Sequence, residues 1–136
     1  MTNLDQFSQI LVDHNHSVTK TRKDIFITLD RSHQISMKEL YAGLSNTNRS
    51  SIYRNIDLFL KLNIVNKIQI GWKYKIELSD AFRQHHHHII CNRCGKVKEF
   101  KENPAITQVI KDISIDNEFV PLSHEFSILG LCNSCK

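Results

Sequence analysis

The sequence predicts an α+β chain built as two small units, a helix-rich winged helix-turn-helix followed by a short α/β domain. Three observations lead there. Apolar residues recur at helical spacing through residues 4–62 and then alternate in two short runs joined at Gly71-Trp72. Two Cys-x-x-Cys pairs, Cys91/Cys94 and Cys132/Cys135, bracket the last third of the chain, and four consecutive histidines, His85 to His88, abut the first pair. Four thiolates arriving as two pairs suit a closed tetrahedral zinc site, so the second unit is expected to carry a structural zinc.

Leu4, Phe7, Ile10 and Leu11 mark a first amphipathic helix ending near Asn15. Thr19 is the expected N-cap of a second helix carrying Ile25, Phe26 and Leu29. Ser36-Met37-Lys38-Glu39 has the capping-box form and opens a third helix, with Met37, Leu40, Tyr41 and Leu44 on one face. After the polar turn at Ser45–Asn48, a fourth helix runs from Arg49 to Leu62 over a stripe of Ile52, Ile56 and Phe59. At 100° per residue Ser50, Tyr53, Arg54 and Asp57 fall away from that stripe, which leaves a polar face to offer a DNA groove. Ile64–Ile70 and Lys73–Leu78 form the hairpin that makes the wing.

Residues 1–79 thus form the expected DNA-binding unit, and polar residues 80–84 the hinge. From His85 the pattern becomes strand-like through Ile90, with Val97–Phe100 as the hairpin partner. Asn103-Pro104 starts a helix with Ile106, Val109, Ile110 and Ile113 on one face, and Leu122–Leu131 is the last strand, delivering Cys132 and Cys135.

Composition narrows the function classes. The net charge of +4 resides in the first unit, where 11 Lys/Arg face 7 Asp/Glu; residues 80–136 hold 7 of each. That asymmetry points to an anionic partner such as nucleic acid. No apolar run is long enough to span a bilayer, so no membrane partner is expected. The N-terminus lacks the basic and apolar regions of a secretory leader, so the expected location is cytoplasmic, where paired Cys-x-x-Cys motifs read as metal ligands rather than disulfides. A redox reading fits poorly, because neither pair opens a helix after a buried strand.

Successive strand residues point to opposite faces, so His85 and His87 share one side and His86 and His88 the other. Each pair is spaced to chelate a metal, against the alternative of a solvated His-rich edge strand. Glu77, Glu99 and His124 are candidate completing ligands. A zinc hydrolase is the enzymatic alternative, but no His-Glu-x-x-His or comparable metal-and-base motif is present. A metal-buffering protein would leave the winged-helix half without a purpose.

Taken together these residues resemble the ferric uptake regulator (Fur) superfamily of metal-dependent repressors. The resemblance rests on Val18-Thr19-x-x-Arg22, Ser51-Ile52-Tyr53-Arg54, Ile76-Glu77-Leu78, the stretch from His85 to Glu99, and His124 with Gly130-x-Cys132-x-x-Cys135. It implies a homodimer whose residues 85–136 form a metal-binding dimerisation domain. It also implies a structural zinc on Cys91, Cys94, Cys132 and Cys135, and a regulatory divalent metal, Fe(2+) or Zn(2+), on Glu77, His86, His88 and Glu99. An additional metal site falls on His85, His87 and His124. For double-stranded DNA, an A/T-rich palindromic operator, it implies contacts from Arg22, Ser51, Tyr53 and Arg54.

The chain departs from the family pattern at several places. The sensory histidine of the first half is replaced by Gln34, with His33 next to it as a substitute. A minor-groove lysine is replaced by Ser17, with Lys20 as stand-in. The helical carboxylate of the additional site meets Ile106 or Thr107, leaving that site three-coordinate, completed by Glu102 or water, or absent. Zinc-sensing members commonly place a cysteine in the sensory site, and this chain has no fifth cysteine. That absence and Glu77 favour ferrous iron over zinc sensing or peroxide sensing.

Overall fold

The computed structural model describes residues 1–136 and divides the chain into two compact units, Met1–Gln84 and His85–Lys136. In the first, α1 (Asn3–Asp13), α2 (Lys20–Asp30), β1 (Ile35–Ser36), α3 (Met37–Gly43) and α4 (Arg49–Lys61) precede the hairpin β2 (Val65–Ile70) and β3 (Lys73–Leu78). In the second, β4 (His86–Cys91), β5 (Val97–Lys101), α5 (Pro104–Asp116) and β6 (Ser127–Gly130) follow. No helix is long and apolar enough to cross a membrane.

Each helix of the first unit starts where a side chain satisfies a free N–H. Thr2 and Asp5 form a full capping box on α1, and Thr19 accepts from the Arg22 amide on α2. On α3 the expected box is half formed: Ser36 accepts from the Glu39 amide, but its hydroxyl donates to the Glu39 carboxylate. Asn48 accepts from the amides of Ser50 and Ser51 and opens α4. Asn63 in the left-handed region (φ 57°) closes α4, with the Ile64 amide reaching back to Phe59 O at 2.8 Å. This Schellman closure turns the chain directly into β2.

The buried stripes of these helices meet in one core. Phe7 stacks on Phe26 at 4.3 Å between centroids and meets Phe59 edge-on at 5.3 Å, with Leu11, Leu29, Leu40, Ile52, Ile56, Ile76 and Leu78 around them. The two-residue strand β1, which the sequence does not announce, pairs antiparallel with β3 and makes the sheet order β1-β3-β2. It arises because Ile35 is buried against the core just before the Ser36 cap.

The segment 80–84, expected as a hinge on its polarity, is packed into the first unit. Phe82 meets Phe26 edge-on at 5.1 Å, Arg83 donates to the carbonyls of Leu29 and Ser32, and Gln6 donates to Ala81 O at 2.9 Å. One aromatic and one arginine supply the anchorage that average polarity conceals.

The second sheet has order β5-β4-β6, with β4 antiparallel to β5 and parallel to β6. The expected strand over 122–131 is confined to Ser127–Gly130, and His124 lies in the irregular segment before it rather than on a strand. Pro121 lacks an amide hydrogen, and only four residues find ladder partners on β4. Buried residues here are few: His87, Ile90 and Cys91.

Candidate metal centres and nucleic-acid surface

The four cysteines converge at one end of the second sheet. Cys91 ends β4, and Gly95 (φ 77°) turns the chain so that its amide returns to Cys91 O at 3.0 Å. The Asn92 amide bonds Gly130 O at 2.8 Å, and Arg93 donates to Cys135 O at 2.8 Å, so the two knuckles are tied through backbone. The four sulfurs lie within 4.8 Å of one another, all as free thiols, with Cys94 and Cys132 Sγ 3.8 Å apart. Sulfurs on a tetrahedral zinc at about 2.3 Å sit about 3.8 Å from one another, so this donor set fits the ion.

The local amides prepare the thiolates. The Cys94 and Cys132 amides point at Cys91 Sγ from 3.5 and 3.4 Å, and they bring its pKa down to about 5. Hydrogen bonding from Cys135 lowers Cys132, and the same pairing pushes Cys135 up to about 12. In the metal-free site the cluster therefore keeps some protons that zinc would displace.

β4 and His85 just before it sort the histidines by face. On one face His85 and His87 have ring centroids 4.7 Å apart, and His124 lies 4.7 Å from His85 and 5.3 Å from His87. Three Nε2 atoms converge on Glu102 Oε1: His87 at 2.9 Å, His85 at 3.4 Å, and His124 in hydrogen-bond contact. Thr107, one turn into α5, donates to the other oxygen of Glu102 at 2.6 Å. Thr107 first and the imidazoles next hold the Glu102 carboxyl down at about 2. Three imidazoles and a carboxylate within 4.8 Å fit a four-coordinate divalent ion. Among the options open from sequence, Glu102 is the residue that reaches this cluster. Its position directly before the Asn103 cap, with Thr107 five residues on, is the signal that fold knowledge turns into proximity.

On the opposite face His86 and His88 have centroids 4.8 Å apart. Glu99 of β5 is the register partner of His88, and its Oε1 lies 3.8 Å from His86 Nε2. Together they make a three-ligand half-site. In the first unit, Glu77 is a buried carboxylate on β3, 3% exposed, and His33 is exposed in the bend before β1.

The outward face of α4 carries Ser50, Tyr53, Arg54 and Asp57, all exposed, with Ser51 half-buried. Arg22 is half-buried and braces that helix: its Nε donates to Asn55 Oδ1 at 2.9 Å and its Nη1 to Ser17 O at 2.7 Å. Sequence reading missed Asn55, which in turn donates to Ser51 O. Lys20 is exposed and pairs with Asp24 at 2.6 Å.

Residues 13–129 match the ferric uptake regulator family. The chain belongs to this family. It is 31% identical to the ferric uptake regulation protein of Campylobacter upsaliensis over 97% of this chain and 88% of that one. It is 30% identical to the peroxide-responsive repressor PerR of Staphylococcus epidermidis over 88% and 81%. Among solved structures, the Helicobacter pylori ferric uptake regulator, described as having three functional metal binding sites, superposes with a TM-score of 0.81 at 25% identity, covering 97% of this chain and 90% of that one. Fur-family proteins are metal-responsive, DNA-binding transcription regulators that act as dimers. The hydrolase alternative therefore falls, and the α+β architecture is that of a Fur protein, with a DNA-binding and a dimerisation domain.

Proposed function

We propose that the protein is a homodimeric repressor that binds an A/T-rich palindromic operator when loaded with ferrous iron. The observation that carries this reading is the two-sided histidine strand, which offers two separate metal sites beside a thiolate cluster. Cys91, Cys94, Cys132 and Cys135 hold zinc permanently. His86, His88 and Glu99 are the exchangeable regulatory set, completed from the first unit by Glu77 and His33. His85, His87, His124 and Glu102 hold the additional ion.

A divalent ion supplies attraction to imidazole and carboxylate ligands drawn from both units. Those ligands hold the first unit of each protomer in one orientation. Two α4 helices then meet half-sites about 34–36 Å apart, one helical turn, or multiples of it. A full switch from 1:99 to 99:1 needs about 5.5 kcal/mol of differential metal affinity. Arg54, with Arg22 and Lys20, holds phosphates; Tyr53 packs on a thymine methyl, with Ser51 beside it.

Dimerisation is supported by the outer surface of the second unit. Val109, Ile113, Ile115, Phe119, Val120 and Leu122 are all more than half exposed, an apolar surface that a monomer would leave in water. Mixed nitrogen and oxygen ligands without a fifth thiolate favour iron over zinc. The deciding test is a gel shift on a palindromic A/T-rich duplex with Fe(II), Zn(II), Mn(II) or chelator. Retardation with Fe(II) and its loss with chelator are expected; no binding under any condition overturns the proposal.

A further inference from the structure

Glu102 is the single residue between the end of β5 at Lys101 and the Asn103 cap of α5. The backbone after it is set tightly. Asn103 accepts from the Ala105 amide at 2.8 Å, and Pro104 begins the helix with its ring-fixed φ. Where the family pattern has a carboxylate on this helix, the chain has Ile106 and Thr107, and the carboxylate comes from in front of the cap instead.

The two oxygens of Glu102 have different partners. Oε1 faces the imidazoles of His85, His87 and His124, whereas Oε2 accepts from Thr107 Oγ1 at 2.6 Å. His87 Nε2 lies 2.9 Å from Oε1, and the Nε2 atoms of His85 and His124 are 3.0 Å apart. Such separations suit donors sharing one divalent ion at about 2.0–2.2 Å, whichever first-row ion it is. What separates the ions is the number of donors. A carboxylate left to turn can chelate through both oxygens and raise the count to five. With Oε2 held by a hydroxyl, Glu102 offers one. The His87 side is walled by Phe100 and Phe126, whose ring centroids each lie 5.7 Å from that of His87, itself 2% exposed. Apolar rings give a metal-bound water no partner there.

We infer that Thr107 is a positioning residue that fixes this site at four ligands, three nitrogens and one oxygen, and so gives it a preference for Zn(II) over Mn(II). This rests on reading His85, His87, His124 and Glu102 as the additional metal site. It adds a determinant of ion choice that touches no ion itself.

Co(II) is the probe, because four-coordinate Co(II) absorbs strongly in the visible and higher-coordinate Co(II) weakly. Full-length protein carrying His86→Ala and His88→Ala, which removes the opposite face, is titrated with Co(II) and then with Zn(II) or Mn(II) as competitor. Expected are a strong visible band and its displacement by Zn(II) far more readily than by Mn(II). Thr107→Val keeps the side-chain shape and removes the donor. It should weaken the band and lower Zn(II) affinity about 10- to 100-fold, the scale of losing a partner behind a ligand, with circular dichroism unchanged. Thr107→Ala, at an exposed helix position, should do the same, and Thr107→Ser should restore both readouts. An unchanged band and affinity in the Val and Ala variants overturn the positioning role and leave the metal site standing. So does a serine variant that fails to recover, or a weak band before any change at Thr107. No Co(II) uptake by the parent overturns the additional site and the inference together.

Discussion

Cys94 and His88 lie only six positions apart yet carry different burdens. Cys94 is one of four thiols whose convergence leaves the site unable to close without it, so Cys94→Ser should lose zinc and unfold the second unit, read by metal analysis and circular dichroism. His88→Ala should keep zinc and fold while weakening metal-dependent DNA binding; equal collapse of both variants would contradict this division. Arg54 is exposed on α4, and Arg54→Ala should weaken operator binding and lower the salt slope by about one. An unchanged slope would remove it from the phosphate contacts. Glu102 has a further signature. Its depressed pKa means that its interactions persist above the ordinary carboxyl range and are lost only as pH falls toward about 2. If the His85, His87 and His124 cluster takes a divalent ion, Glu102→Gln should lower its affinity, read by metal titration of the full chain.

Helix α4 combines a cap, a brace and a closure. Asn48 holds two amides at its start, Arg22 reaches Asn55 at its middle, and Asn63 ends it. Removing the cap with Asn48→Ala should cost about 1 kcal/mol, measurable in urea unfolding of the full chain. These devices explain why the helix was legible: its stripe, cap and terminator all agree. Strand β6 was less legible because Leu122–Leu131 mixes apolar residues with Ser123, His124, Glu125 and Ser127, so no clean alternation marks its start. Its bounds are set by the four residues, Ser127–Gly130, that pair with His88–Cys91 of β4. The packing of the 80–84 segment was hidden for the converse reason, since Phe82 and Arg83 find partners in α2 and the bend after it, far away in sequence.

The two units rest on different physics. The first has a continuous aromatic and aliphatic core, whereas the second buries only His87, Ile90 and Cys91, so the proposed zinc and cover of its apolar face would have to supply what that core lacks. Strong chelation should therefore unfold the second unit, with the first melting separately at higher denaturant; two transitions by circular dichroism and fluorescence check this. A single cooperative transition unaffected by chelator would contradict it.

Residue spacing by itself determined the five helices, the β2–β3 hairpin, the Cys-x-x-Cys pairs and the two-faced run of histidines, because periodicity, caps and Cys-x-x-Cys spacing are local properties of a chain. It also carried enough pattern to mark family membership. Only the tertiary structure decided that Glu102 rather than a residue of α5 meets the three imidazoles, that Arg22 braces Asn55, and that residues 80–84 are anchored. Each of those is a meeting of side chains from separate elements, and distance between elements is set by packing and register, which sequence order does not encode.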